Sequence, residues 1–218
     1  MDIAERFRVI RERLQAACAR AGRDPASVTL MAVSKGQSAD AIREAADAGQ
    51  TLFGESKVQE ARHKIPQCPD RLRWQMIGHL QSNKCRDAVH LFEMIQSVDS
   101  LPLAQEIDKW AAKQGKTMPV LLEINVAGEA SKFGYPPERM LTELEAINAL
   151  PRLELRGLMA VPPFVLDPER ARPWFRKLRE LRDRAQDRLG APLPELSMGM
   201  SGDFEVAIEE GATLVRLG

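Results

Sequence analysis

Short apolar runs alternate along this chain with longer amphipathic segments. The runs have the length of strands and read VTLMAV, TLFG, RWQMIG, EMIQSV, PVLLEINV, LELRGLMAV, ELSMG and TLVRL. Most are separated by a segment whose apolar residues recur every three or four positions, the spacing of a helix with one buried face. One such helix precedes all the runs, with Ile3, Phe7, Ile10, Leu14 and Cys18 on one side. The alternation predicts parallel β-α units preceded by an extra N-terminal helix.

The number of predicted β-α units bears on how the sheet is arranged. Eight units within 218 residues favour a compact (β/α)8 TIM barrel, and an open doubly wound sheet is the alternative. No Gly/Pro/Ser-rich linker or low-complexity segment interrupts the pattern, so we expect a single domain over residues 1–218. Ser38, and either Asp99 or Ser100, are predicted to cap the helices that follow them.

The charge pattern gives no support to a nucleic-acid or membrane partner. The chain has 31 basic and 31 acidic residues, so there is no long-range field to attract a polyanion or an anionic lipid surface. The most basic stretch, residues 170–188, is interleaved with Glu180, Asp183 and Asp187, which is typical of a solvated helix face. We therefore expect a protein that binds neither nucleic acid nor a membrane.

The cysteines and histidines bear on redox state, metal binding and location. Cys18, Cys68 and Cys85 are odd in number and lack CxxC spacing, and the three histidines do not cluster with them as zinc ligands would. The N-terminal stretch is charged and amphipathic, unlike a signal peptide or a membrane span. We expect a reduced cytoplasmic protein without a structural metal, and a monomer, since no apolar stripe lies outside the predicted core.

In a parallel barrel, functional side chains follow the strands at their C-terminal ends. Turn and capping preferences explain Asn83, Asp99 and Ser100 at such positions. They do not explain Lys35 or Arg216, each of which stands in an apolar run. The residues that follow or end the predicted strands are Lys35, Glu55, Ser56, His79, Gln81, Ser82, Asn83, Ser97, Asp99, Asn125, Met159, 197–203 and Arg216.

Lys35 is the strongest single indication of chemistry. A lysine walled by apolar residues at a strand end is poorly hydrated, which leaves more free amine to attack a carbonyl. Schiff-base chemistry follows, either with a substrate carbonyl or with pyridoxal phosphate. The latter needs an anion cradle, and GMSGD (199–203) offers two glycines, the Ser201 hydroxyl and a following predicted helix. An ordinary turn explains such a loop equally well.

Arg216 has two interpretations from the residues alone. If its guanidinium faces the ring nitrogen of a pyridoxal, that nitrogen stays unprotonated, because arginine cannot accept a hydrogen bond. The cofactor is then a weaker electron sink than one that faces a carboxylate. The alternative is an ion pair with Glu123 or another barrel carboxylate.

A series of motifs resembles the pyridoxal phosphate homeostasis protein family. They occur in order across nearly the whole chain, and the IGxLQSNK and GMSxD patterns are the most specific. The motifs are AVSKG (32–36), FGESKVQE (53–60), WQMIGHLQSNK (74–84), ASKFG (130–134), LRGLMAVPP (155–163), SMGMSGDFEVAI (197–208) and VRLG (215–218).

The resemblance implies a fold and a binding site. Members look like the barrel domain of alanine racemase standing alone, and they carry pyridoxal 5'-phosphate as a Schiff base on the lysine that matches Lys35. By the same resemblance, Arg216 would face the pyridine nitrogen and Met159 would lie near the ring. Ser201, Gly218 and the backbone around Met200 would hold the phosphate. The implied cofactor-binding residues are thus Lys35, Met159, Met200, Ser201, Arg216 and Gly218.

The resemblance also implies a role in intracellular vitamin B6 homeostasis without strong catalytic turnover, and apo forms of pyridoxal-phosphate enzymes are candidate acceptors. The racemase takes its opposing acid/base tyrosine from a second domain, whereas the only tyrosine here, Tyr135, follows the fifth predicted strand. Two alternatives stay open: a pyridoxal-phosphate racemase or lyase whose base is His79 or a partner chain, and a cofactor-free Schiff-base aldolase.

Four features of the motifs carry additional expectations. Ser56 and Lys57 replace the asparagine and tyrosine usual in GENYVQE, and His79 replaces the proline usual after IG. The family usually continues past the position of Gly218 with a threonine, so a truncated terminus or a weaker phosphate site is expected here. Lys132, in ASKFG, is either a solvated loop lysine or a second acceptor of the aldehyde.

Overall fold

All eight predicted strands form and close into a parallel barrel in the computed structural model, which describes residues 2–129 and 133–218. The order of the strands around the barrel is their order along the chain, and the last strand pairs with the first. The (β/α)8 prediction is therefore confirmed and the open sheet is excluded. The strands are β1 (Thr29–Val33), β2 (Leu52–Glu55), β3 (Arg73–Met76), β4 (Met94–Val98), β5 (Met118–Glu123), β6 (Leu153–Met159), β7 (Glu195–Ser197) and β8 (Leu214–Leu217).

Helices surround the barrel and alternate with the strands along the chain, as predicted. The extra N-terminal helix, α1, is present and packs against α2 and α8. No helix within the described ranges combines the length and the apolar character needed to cross a membrane. The α-helices of these ranges are α1 (Ile3–Arg20), α2 (Ala39–Asp47), α3 (Val58–Lys64), α4 (Cys85–Leu91), α5 (Leu101–Lys113), α6 (Pro137–Asn148), α7 (Arg172–Leu189) and α8 (Phe204–Glu209).

The core has two layers because each strand buries both of its faces, as parallel barrel strands do. A large apolar cluster fills the space between the strands and the helices. Smaller clusters fill the barrel interior, where polar side chains are also enclosed. The interior apolar residues are Met31, Leu52 and Leu214 in one group and Met94, Leu121 and Met159 in the other. The enclosed polar residues include Gln75, Gln96, Ser197 and Arg216.

Two predicted caps have different outcomes. The Ser38 side chain accepts a hydrogen bond from the amide of Ala41 at 3.2 Å, so its capping role is confirmed. Ser100 occupies the cap position of α5, but its side chain bonds no helix amide. The carboxylate of Glu143, on α6, accepts the Leu101 amide proton instead, at 3.2 Å. A tertiary contact thus replaces the local cap.

The three cysteines, Cys18, Cys68 and Cys85, are free and buried. Burial raises the pKa of all three thiols, that of Cys85 to about 12. Among residues 2–129 and 133–218, no group of three or more His, Cys, Asp or Glu side chains is arranged to hold a metal ion. The thiols therefore act as small apolar side chains within the packing.

Candidate functional site

Lys35 lies at the carboxyl end of β1, but not where the sequence analysis predicted. The strand ends at Val33, Ser34 is buried, and Lys35 begins a turn in which its side chain is exposed. The expectation of an amine walled by apolar residues is therefore wrong. The apolar surroundings stop one residue earlier, and the turn carries Lys35 out of the buried layer. The position of the Lys35 amine therefore depends on the contacts that hold this turn.

The GMSGD loop joins β7 to α8 and has the features of an anion cradle. Gly199 has φ +98°, and a Cβ there would lie 2.6 Å from that of Ala207, so the loop turns tightly against the helix. Ser201 and Gly202 are exposed, and a Cβ on Gly202 would meet nothing within 4 Å. The loop therefore leaves open space beside its backbone.

The hydrogen bonds of this loop decide which donors are available. The Met200 amide donates to Oδ1 of Asp203 at 2.7 Å, so that amide is already engaged. In the described ranges, the amides of Ser201 and Gly202 donate to no protein acceptor. The Gly218 amide donates to the Ser201 hydroxyl oxygen at 3.4 Å, which holds this side chain beside the loop. Two open amides and a hydroxyl converge here, which is a donor set that fits a phosphate group.

Arg216 is buried in β8, with only 4% of its surface exposed. Its guanidinium donates to the Ser197 hydroxyl and, at 2.9 Å, to the carbonyl oxygen of Ala160. In the described residues it forms no hydrogen bond to Glu123, although that carboxylate and Asp203 favour its charge through space. Burial lowers the pKa of Arg216 to about 10, so it is still a cation at neutral pH. The alternative interpretation, an ion pair with Glu123 or another barrel carboxylate, is therefore not found among the described residues.

A series of hydrogen-bonded side chains inside the barrel begins at Ser197 and holds the Arg216 guanidinium in place. The Ser197 hydroxyl donates to Oε1 of Gln96 at 2.6 Å, and the Gln96 amide donates to Oε1 of Gln75 at the same distance. Gln75 in turn donates to Glu93 at 2.9 Å. This series of hydrogen bonds is not among the features predicted from the sequence, although three polar residues at inward positions of apolar strands, Gln75, Gln96 and Ser197, were its visible signal. These hydrogen bonds fix the direction of a buried cation.

Met159 ends β6 and is fully buried in the barrel interior, where it packs with Met94 and Leu121. The next residue, Ala160, provides the carbonyl that accepts from Arg216. Met159 and Arg216 thus belong to the same end of the barrel, as do Lys35 and the GMSGD loop. The structure brings the predicted cofactor-binding residues to one rim.

Three titratable side chains lie at that rim: His79 follows β3, Asp99 follows β4 and Glu123 ends β5. Nδ1 of His79 lies 3.4 Å from Oδ2 of Asp99, and the His79 ring stacks on Phe133 with centroids 3.8 Å apart. Glu123 is the last residue of β5. Burial and the Asp99 carboxylate raise the pKa of Glu123 to about 7, and Arg216 opposes that shift. His79 therefore adds a polar aromatic group to the rim, paired with a carboxylate.

Tyr135 has a structural role. It is fully buried, and its hydroxyl donates to Oε2 of Glu143 at 2.8 Å. Burial and this carboxylate raise the pKa of Tyr135. A phenol held in this way is not available as an acid or base at the rim. The other motif residue near it, Lys132, lies outside the described residues.

The departures at 56 and 57 lie beside the site. The Ser56 carbonyl oxygen would be 2.2 Å from a Cβ on Gly78, so this backbone packs tightly against the loop after β3. Lys57 is exposed and occupies the cap position of α3 without a side-chain cap. The two residues therefore contribute backbone packing and a solvated charge.

Lys64, on α3, is a buried lysine that the sequence analysis did not single out. Only 7% of its surface is exposed, and its ammonium lies 2.7 Å from carboxylate oxygens of both Glu55 and Glu60. The four-residue spacing from Glu60 to Lys64, next to a strand ending in Glu55, was the available signal.

Comparison with known proteins gives a consistent result. The family model described as "Alanine racemase, N-terminal domain" matches residues 7–218. A pyridoxal phosphate homeostasis protein of Aquifex aeolicus is 45% identical over 219 residues, which cover 100% of this chain and 96% of that protein.

Two solved structures of one protein, PipY of Synechococcus elongatus PCC7942, resemble the fold closely. The structure without PLP has a TM-score of 0.86 and the structure with PLP bound has one of 0.83. Each is 40% identical in sequence, and the match covers 96% of this chain and 97% of the other.

Proposed function

Since this chain belongs to the pyridoxal phosphate homeostasis protein family, we propose that it binds pyridoxal 5'-phosphate through Lys35 and takes part in vitamin B6 homeostasis. When bound, this cofactor supplies an aldehyde that condenses with a lysine amine, with loss of one water molecule. The chain's own residues provide the amine, hold the phosphate and place a cation by the ring.

The observation that carries the proposal is the set of open donors at residues 201–202. Two amides that donate to no acceptor among the described residues lie with the Ser201 hydroxyl beside open space at the end of β7, and the Gly218 amide donates to that hydroxyl. Phosphate sites in such barrels commonly use the loops after the seventh and eighth strands. Lys35 and the buried Arg216 lie at the same end, where an amine and a ring-facing cation are needed.

We further propose that the protein holds the cofactor and does not turn over substrates rapidly. Proton transfer on both faces of a bound amino acid needs a second acid/base group opposite the lysine. Tyr135 is buried and bonded to Glu143, so it cannot serve. A racemase or lyase is the second candidate, favoured by the His79–Asp99 pair at the rim. Loss of chirality at the α-carbon of amino acids, faster than with free cofactor and abolished by His79→Ala, would support that second candidate.

The absorption spectrum of the protein tests the leading proposal. Protein mixed with pyridoxal 5'-phosphate should develop a visible band that is absent in Lys35→Ala, because Lys35 is the amine proposed to form the covalent link. Lys57→Ala is the matched control, since this exposed lysine lies in a neighbouring loop, and it should keep the band. A protein that stays colourless and takes up no cofactor would refute the proposal, as would an undiminished band in Lys35→Ala.

Three further proposals concern the domain organisation of the protein, its acceptors and its compartment. We propose that residues 1–218 act as one cofactor-binding unit and that apo forms of pyridoxal-phosphate enzymes receive the cofactor. We also propose the cytoplasm as its compartment, supported by the three free, buried cysteines.

A further inference from the structure

We propose that Glu55, Glu60 and Lys64, here called the carboxylate–lysine cluster, position Lys35 by fixing the backbone on both of its sides. None of the three is placed to contact the cofactor in the function proposed above, and this inference rests on that function. They act through Ser34 and Gly36, the neighbours of Lys35 along the chain.

The centre of the cluster is the Lys64 ammonium, which makes three hydrogen bonds. Nζ donates to the carbonyl oxygen of Ser34, to Oε1 of Glu55 and to Oε1 of Glu60, each at 2.7 Å. An ammonium has three N–H groups, so all of its donors are used. One bond goes directly to the residue before Lys35.

The two carboxylates form further hydrogen bonds to the turn that contains Lys35. Oε1 of Glu60 also accepts the amide proton of Gly36 at 2.6 Å. Oε1 of Glu55 also accepts from the Ser34 hydroxyl at 2.7 Å. Ser34 is therefore bonded to Lys64 and Glu55, and Gly36 is bonded to Glu60, while the Lys35 side chain stays exposed. The arrangement restrains the backbone and leaves the amine accessible.

The cluster joins separate parts of the fold. Glu55 ends β2, Glu60 and Lys64 belong to α3, and the turn they hold follows β1. The second β-α unit thus holds the loop of the first. A turn beginning with Lys35 and Gly36 has little packing of its own, since both residues are exposed.

Stability alone is a poor explanation for these groups. Glu55 is fully buried, and its Oε2 has no partner in the described residues. Removing charges from water offsets much of the attraction between them, so a buried ion pair contributes little net stability compared with apolar packing. Hydrogen bonds from Lys64 and Gly36 lower the pKa of Glu60, and the bonds to the two carboxylates raise that of Lys64, so Glu60 and Lys64 are ionised at neutral pH. The clear effect of the cluster is to fix the position of the backbone on both sides of Lys35.

Position matters because the amine must meet an aldehyde whose phosphate is held separately, at Ser201. A displacement of about 1 Å in a reacting group can lower a rate about a hundredfold. Without the cluster, we expect Lys35 to sample positions from which it cannot reach the bound aldehyde.

The test compares Lys64→Met, Lys64→Arg and Lys116→Met with the wild type. Lys64→Met removes all three hydrogen bonds, whereas Lys64→Arg keeps the charge and several donors. Lys116→Met is the control, because Lys116 is half-buried and, like Lys64, donates to a backbone carbonyl, that of Phe92. Two quantities are measured in each folded variant: the Kd for pyridoxal 5'-phosphate from the visible band, and the hydrogen-exchange rate of the Gly36 amide without cofactor.

We expect Lys64→Met to weaken binding at least tenfold and to speed Gly36 exchange at least tenfold, with Lys64→Arg and Lys116→Met close to the wild type. Wild-type values in Lys64→Met would overturn the inference, and so would equal losses in Lys64→Met and Lys64→Arg. If Lys64→Met does not fold, Glu60→Gln decides the question by the same two measurements, since Glu60 holds Gly36 directly. A wild type that binds no cofactor would refute the proposed function, while Gly36 exchange would still report on the cluster.

Discussion

At the scale of single residues, the two cations of the site are placed in opposite ways. Lys35 is exposed on a turn, whereas Arg216 is buried and bonded to Ser197 and Ala160. In the proposed function the Lys35 amine must be reached by an aldehyde, so exposure suits it. Arg216 is proposed to face the cofactor ring and so needs a fixed direction, which its buried hydrogen bonds supply.

Glu123 provides a prediction at the same scale. Its pKa is raised from 4.5 to about 7 in the folded protein, so the unfolded chain loses this proton first as pH rises. Folding is therefore destabilised progressively between these two values, and the penalty is complete above about pH 7. Glu123→Gln should be more stable than the wild type at pH 8 by about 1–3 kcal/mol, at 1.36 kcal/mol per pKa unit with an allowance for partial exposure.

Urea unfolding at pH 4 and pH 8 measures this effect. The gain from Glu123→Gln should appear at pH 8 and be nearly absent at pH 4. Glu44→Gln serves as the control, because Glu44 is exposed on α2 and should give the same small change at both values. An equal effect of Glu123→Gln at the two pH values would contradict the assignment.

At the scale of elements, closure of the barrel depends on the pairing of β6 with β7, here called the seam. Gly157 pairs with Glu195 across this seam and also lies where the register between β5 and β6 shifts. A Cβ on Gly157 would be 1.9 Å from the Glu195 carbonyl oxygen. Since both atoms belong to backbone-fixed positions, neither can move aside without breaking the pairing.

Gly157→Ala should therefore destabilise the protein by about 3 kcal/mol or more, through strain and lost strand pairing. The free energy of unfolding in urea is the measurement. Gly202→Ala is the control, because a Cβ there meets nothing within 4 Å, and it should leave this free energy nearly unchanged. Comparable stability of the two variants would show that the seam can adjust.

At the scale of the whole molecule, exposed apolar side chains bear on the oligomeric state. In the described ranges, the large ones are Phe133, Val161, Phe164 and Leu166, and the last two are 81% and 92% exposed. Three of these four lie in the loop after β6. A single short loop is small for a stable dimer interface, which needs about 800 Å² per partner.

We therefore expect a monomer in solution. Light scattering at several concentrations should give the mass of one chain. A mass of two chains that falls to one in the double variant Phe164→Ser, Leu166→Ser would contradict this and assign the loop to an interface.

Much of the architecture could be predicted from the chain alone. The eight strands, the N-terminal helix and the cap at Ser38 follow from periodicity and local hydrogen bonding, which depend on neighbouring residues. The motifs placed Lys35, Met159, Ser201 and Arg216 at one end of a barrel, and the structure brings them there.

The amino-acid sequence was enough to predict the barrel and the chemical groups at its rim, because strand and helix periods and motif spacings are local properties. It could not predict that Lys35 is exposed, that Arg216 bonds Ser197, or that Lys64 is buried. Each of these depends on which side chains from distant segments meet. Burial and hydrogen-bond partners are set by packing between elements, and the order of residues does not specify that packing locally.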